Sequence, residues 1–284
     1  MSDQTDIKTE RPTFRPKCYR VLDEVLGESD ATVEWIEVAV RHLKREYEAS
    51  GSEGIYRLAS DYNVRVNPVD FNDICVRWGQ LQLLSSFQFF DDFLSNFRDE
   101  HPRDLPPRKR NKGEDLITSI MEDYDVSKND VGLNEFDILD YYRLVRNQLM
   151  HNPSVEQGKV HKSQAARILE NKKDKYSTLS APNYIDSIQF DDFILLTRVI
   201  KHFSRVLCSR TTPTESEWTS LILKDSDLVK RLRAFIGNET RIKSKLKSYL
   251  VSNYCCDIGD EVLTNIYNLC LLAQWQSAPL QEST

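Results

Sequence analysis

The residues best suited to chemistry in this chain close one helix-forming stretch, Leu144 to Pro153, "LVRNQLMHNP". Arg146 offers a permanent cation with a planar fork of donors that fits a phosphate. His151 is the side chain type whose charge changes near neutral pH, the commonest general acid or base. Asn147 precedes His151 by four residues, so on a helix the two stack on one face and can share a hydrogen bond. Pro153 disfavours the helical conformation at Asn152, which sets the helix end at His151. There the helix dipole favours the imidazolium, so a raised pKa is expected for His151. Arg146, however, stands five residues before His151, roughly 140° away around an ideal helix. Within one straight helix the two do not converge on one small group. Either the last turn distorts, or a second copy of the helix supplies the partner. A purely structural alternative also stands: a histidine capping a helix end, with Arg146 paired to Asp140 or Glu135.

The element carrying these residues is expected to be a helix over Leu133 to His151. With Ile138 at the centre of its buried face, Tyr142, Val145 and Leu149 share that direction and Tyr141 flanks it. Asp140, Arg143, Leu144, Asn147 and His151 fall opposite, with Phe136 and Met150 at the edges. That second face mixes large apolar groups with Arg, Asn and His, as an interface or a site does. Leu144 and Met150 are apolar residues of that face, and Arg143 adds a further cation to it.

Helical periodicity dominates elsewhere. Val33, Ile36, Val40, Leu43 and Tyr47 follow Asp30, which is expected as an N-cap. Asn67-Pro68 is expected to open a long helix whose apolar stripe runs from Phe71 to Phe97. Further helices are expected over Glu114–Asp123, Ser163–Asn171, Asp186–Leu207, Asp227–Ile236, Glu239–Ser252 and Asp260–Trp275. Thr214 and Glu217 form a capping box. A strand is conceivable only over Tyr62–Val66. The fold class is therefore all-α, with domains at 1–17 (an arm), 18–66 (a helical extension), 67–209 (a four-helix core) and 210–284 (a second extension).

Bulk composition excludes several classes. The 284 residues are 40% hydrophobic and 29% charged, as in a soluble globular chain. No apolar run approaches the ~20 residues of a membrane helix. The N-terminus lacks a signal-like apolar region, and the cytoplasm is the expected compartment. The six cysteines do not form a metal or redox spacing, and no metal or cofactor is expected. A net charge of −6 argues against non-specific coating of nucleic acid. Basic residues are nonetheless clustered in Arg103–Lys112, Lys159–Lys175 and Lys230–Lys247. Lys109, Arg110 and Lys162 are loop cations of these clusters, which could form a phosphate-binding rim. The acidic pairs Asp91-Asp92 and Asp191-Asp192 are expected to face solvent or form salt bridges. The pairing of Glu-x-x-His motifs that a di-metal centre needs is lacking. His202, with Arg198 and Arg205, is read as a surface residue that could line one site with Arg146 and His151. The tryptophans Trp35, Trp78, Trp218 and Trp275 are read as core or rim.

"YYRLVRNQLMHN", Tyr141 to Asn152, resembles the signature helix of the HEPN superfamily, R-x4-6-H with Asn directly after the Arg. The aromatic-rich helix before it and the long apolar helix after it match that setting. The resemblance covers about half the chain. It implies a HEPN-like four-helix bundle with added helices at both ends, and a metal-independent endoribonuclease. Proteins of this kind serve as toxins and as antiviral or abortive-infection effectors. Two R-x4-6-H motifs meet in a homodimer, and a ribose 2′-hydroxyl attacks the adjacent phosphate. On this chain the resemblance implies Arg146 as phosphate holder, Asn147 as orienting group and His151 as acid or base. It further implies RNA as substrate, with Arg143, Lys109, Arg110 and Lys162 as candidate RNA contacts and Leu144 and Met150 as candidate dimer contacts. An inhibitory antitoxin or a larger defence complex is the partner it implies. The Tyr two residues after the His in toxins regulated by nucleotidyl transfer is replaced here by Pro153. An inactive HEPN-like module that binds RNA or protein is the alternative.

Overall fold

The computed structural model describes residues 11–67, 69–105, 115–151, 164–170 and 176–276, the side chains of His151 and residues 274–276 excepted. Every regular element among them is helical. The helices are α1 (Lys17–Asp61), α2 (Phe71–Glu100), α3 (Leu116–Asp123), α4 (Lys128–Val131), α5 (Leu133–His151) and α6 (164–170). They continue with α7 (Phe190–Arg210), α8 (Glu215–Lys224), α9 (Ser226–Arg233), α10 (Glu239–Tyr254) and α11 (Asp260–Gln276). A 3-10 turn, Ile185–Ser187, precedes α7. None of these helices is long and apolar enough to cross a membrane.

The helix ends follow local chemistry. Asp115 caps α3, and Ser127 with Asp130 forms a capping box on α4. Thr214 and Glu217 form the box expected for α8. Two starts differ from the sequence reading. Helix α1 begins at Lys17, and Asp30 lies inside it with its carboxylate on Lys201, 2.5 Å away. Helix α2 begins at Phe71, where Asp70 accepts from the Asn72 amide. The segment 62–66 is a turn and irregular chain, since Asn63 takes a positive φ of 55°. Helix α1 breaks at Gly51, whose φ of 66° and ψ of −165° suit glycine alone.

The chain forms two compact units: residues 1–20, 94–126 and 205–284 in one, 21–93 and 127–204 in the other. This division cuts across the domain limits expected from sequence. The expected N-terminal extension belongs mostly to the second unit, and 94–126 leaves the expected core. Three of the four limits fall within the helices α1, α2 and α7, where no linker composition can mark them, and the fourth falls between α3 and α4.

The first unit is centred on Phe14, which is fully buried. Its ring meets those of Phe97, His101, Trp218 and Tyr254 at 5.2–6.4 Å between centroids. His101 Nε2 lies 2.6 Å from the carbonyl of Thr211, and its Nδ1 accepts from the Arg103 amide at 3.0 Å. A carbonyl only accepts, so the ring is the neutral tautomer with its proton on Nε2.

The second unit buries Phe87, Phe90 and Phe93 of α2, Ile138, Leu139, Tyr141, Tyr142 and Val145 of α5, and Phe193, Leu196, Val199, Ile200 and Phe203 of α7. Phe90 meets Phe203 edge to face at 5.4 Å. Gly79 of α2 lets the Ile188 backbone approach so closely that a Cβ there would lie 2.9 Å from its carbonyl oxygen.

Candidate active site

Helix α5 spans the range expected from sequence, and its rotation is set by two tyrosines. Tyr142 donates to Asp192 Oδ1 at 2.8 Å, and Tyr141 donates to the carbonyl of Asn183 at 2.5 Å. Asp192 is fully buried, not solvent-facing or ion-paired as expected. It also accepts from the Asn183 amide and side chain and from the Gln189 amide, at 2.7–2.9 Å. Burial pushes its carboxyl up, and these hydrogen bonds pull against that shift. A signal for this was present in the sequence, because Asp192 falls in register with Leu196, Val199 and Phe203. A carboxylate on an apolar stripe must find donors.

One turn beyond Tyr142, the guanidinium of Arg146 lies half-buried. Its Nη2 meets Asp91 Oδ2 of α2 at 2.9 Å, with both side chains about a third exposed (30% and 31%). Its Nη1 donates to Asn147 Oδ1 at 3.1 Å. The partner of Arg146 is thus Asp91, not Asp140 or Glu135; Arg143 takes Asp140, at 2.6 Å. Asn147 therefore turns its oxygen toward Arg146. Asp91 was visible in the sequence only as one of an acidic pair, and its distance from Arg146 along the chain hid the contact. Asp92 accepts instead from Gln88.

The remaining candidates are dispersed. The backbone of His151 closes α5, one turn after Asn147; its side chain lies outside the described residues. Leu144 is half-buried, and Met150 is 57% exposed. Lys109, Arg110 and Lys162 lie outside the described residues. His202 is partly buried with Nε2 2.7 Å from the Val131 carbonyl, so it ties α7 to the end of α4. Asp191 accepts from the amide and hydroxyl of Ser180. Trp218 is buried and Trp78 half-buried, whereas Trp35 is 79% exposed.

Chemically, Arg146 can turn two or more donors toward a phosphate that approaches beside Asp91. Asp91 and Asn147 fix its plane, which lowers the entropy lost on binding. Compared with family models, curated proteins and solved structures, the chain matches none.

Proposed function

We propose that the protein is a metal-independent endoribonuclease of HEPN type, acting as a homodimeric toxin or antiphage effector from a HEPN-like four-helix bundle. The observation that carries this reading is the half-exposed Arg146, oriented by Asp91 and Asn147 on the helix that His151 ends. In the proposed reaction a base takes the proton of a ribose 2′-hydroxyl, whose oxygen attacks the neighbouring phosphorus. The bond to the 5′-oxygen breaks as an acid protonates it, leaving a 2′,3′-cyclic phosphate and a 5′-hydroxyl. His151 serves as acid or base and Arg146 offsets charge on the phosphate. Asn147 orients Arg146. The exposed Met150 beside His151 supports a contact between two copies of α5.

One observation favours a second reading, a non-catalytic module binding RNA or protein: Arg146 already has a carboxylate partner. RNA cleavage in EDTA separates the two. Under the nuclease reading, wild type leaves cyclic phosphate ends. Arg146→Ala and His151→Ala then each lose roughly 10²-fold or more, while the protein stays folded and dimeric. Under the module reading wild type cuts nothing, RNA or partner binding survives both substitutions, and Arg146→Ala only lowers thermal stability.

A further inference from the structure

Helices α9 and α10 carry a concentration of charge at odds with the rest of the chain. Residues 226–254 hold seven Lys and Arg and two acidic residues, a net of +5, in a protein whose net charge is −6. Two of these cations are neutralised locally, Lys243 by Glu239 and Lys247 by Asp257. The other five, Lys230, Arg231, Arg233, Arg241 and Lys245, are exposed. Among the described residues none of the five has an ion-pair partner.

Their arrangement follows from the helices. Leu228 and Leu232 turn inward from α9, so Lys230, Arg231 and Arg233 fan across its outer face. Ile242, Leu246 and Leu250 turn inward from α10, which leaves Arg241 and Lys245, four apart, on one flank. The hydroxyls of Ser244 and Ser248 stand exposed on the same helix. Arg241 lies over the Phe235 ring at 4.2 Å, which joins the turn after α9 to the start of α10.

We infer that this α9–α10 surface docks the sugar-phosphate backbone of RNA. The choice of RNA rests on the ribonuclease reading; the surface itself rests on charge and geometry. Cations with no ion-pair partner among the described residues, spread over two helices with hydroxyls beside them, suit a polyanion bound without base specificity. Anionic lipid fits less well, because an interfacial helix needs a free apolar face. Here the apolar stripes of both helices are buried in the unit, and of 226–254 only Ile236 and Val251 are large apolar side chains that stand exposed.

The test uses the full chain and a fluorescent 2′-O-methyl RNA 20-mer, which lacks the attacking hydroxyl and so reports binding alone. Affinity is measured against salt for wild type and for the triple variant Lys230→Gln, Arg233→Gln, Lys245→Gln. A control triple, Arg45→Gln, Arg57→Gln, Arg65→Gln, removes equal charge from exposed sites elsewhere. The patch variant should weaken binding about 10-fold or more at 0.1 M salt. Its log–log salt slope should fall by roughly 2, the loss of three single-strand phosphate contacts; the control should change affinity about 2-fold at most. Equal effects of the two triples, or no binding by wild type at 50 mM salt, would overturn the inference. So would patch-dependent binding to phosphatidylserine vesicles with RNA binding unchanged. If binding depends on the patch but wild type never cleaves RNA, the inference stands and the nuclease reading falls. Cleavage with patch-independent binding is the reverse.

Discussion

Tyr142 and Arg146 sit one turn apart on α5 and are tied to carboxylates on two different helices, Asp192 of α7 and Asp91 of α2. The buried tie fixes the rotation of α5, and that rotation aims the half-exposed one. Tyr142→Phe removes one of four donors to a buried carboxylate and should cost about 1.5–3 kcal/mol, as for a hydrogen bond to a charged group. Asp192→Ala should cost more, because it orphans the Asn183 and Gln189 groups together. Urea unfolding of wild type and both variants checks the order; midpoints equal to that of wild type would show that the network carries no weight.

The Arg146–Asp91 pair should contribute little to stability. Both side chains are about a third exposed, so a double-mutant cycle with Arg146→Ala and Asp91→Ala should give a coupling of about 1 kcal/mol or less. Under the proposed nuclease reading the larger effect falls on function: Asp91→Asn should weaken RNA cleavage mainly through loss of Arg146 orientation. Asp91→Glu should restore part of it. Full activity in Asp91→Ala would remove Asp91 from the site.

Gly79→Ala tests the close passage of the Ile188 backbone. The added Cβ would fall 2.9 Å from a carbonyl oxygen that no side-chain rotation can move. A loss of about 1–3 kcal/mol is expected, as for overpacking, although alanine favours a helix by up to about 1 kcal/mol. A rise in melting temperature would contradict the contact.

Acid should weaken the fold through His101. Burial pushes its pKa down to about 4 from 6.5, so between these values the unfolded chain binds a proton that the folded chain refuses. The stability that His101 contributes is therefore complete above about pH 6.5 and falls as pH drops through 4. The limit is about 3 kcal/mol. Asp192 acts with the opposite sign, because burial raises its carboxyl and the folded state takes up that proton first. Comparing wild type with His101→Gln isolates the histidine. The glutamine variant should lose less stability between pH 7 and 4.5, and parallel curves would refute the assignment.

These results show which parts of the molecule local spacing can specify. The limits of α5 and the Thr214–Glu217 box were legible, because a proline restriction and a capping box act within a few residues. The starts of α1 and α2 were not. Asp30 looked like a cap but its carboxylate is taken by Lys201, a contact across 171 positions. At the candidate site, Arg146, Asn147 and His151 could be named from residue type and spacing. The orienting role of Asp91 could not, because it depends on how α2 and α5 pack. Asp192 lay between these cases: its stripe position was readable, and its four donors were not.

The break at Gly51 has a bearing on how the first helix tolerates changes in length. A residue inserted before it, near Glu28, would rotate every later position of α1 by roughly 100° and turn Val33 out of the core. At Gly51 the helical phase is already interrupted, so an insertion there leaves Leu22, Leu26 and Val33 facing inward. The 52–61 segment is thus a place where the chain can grow or shrink without resetting the register of the helix before it.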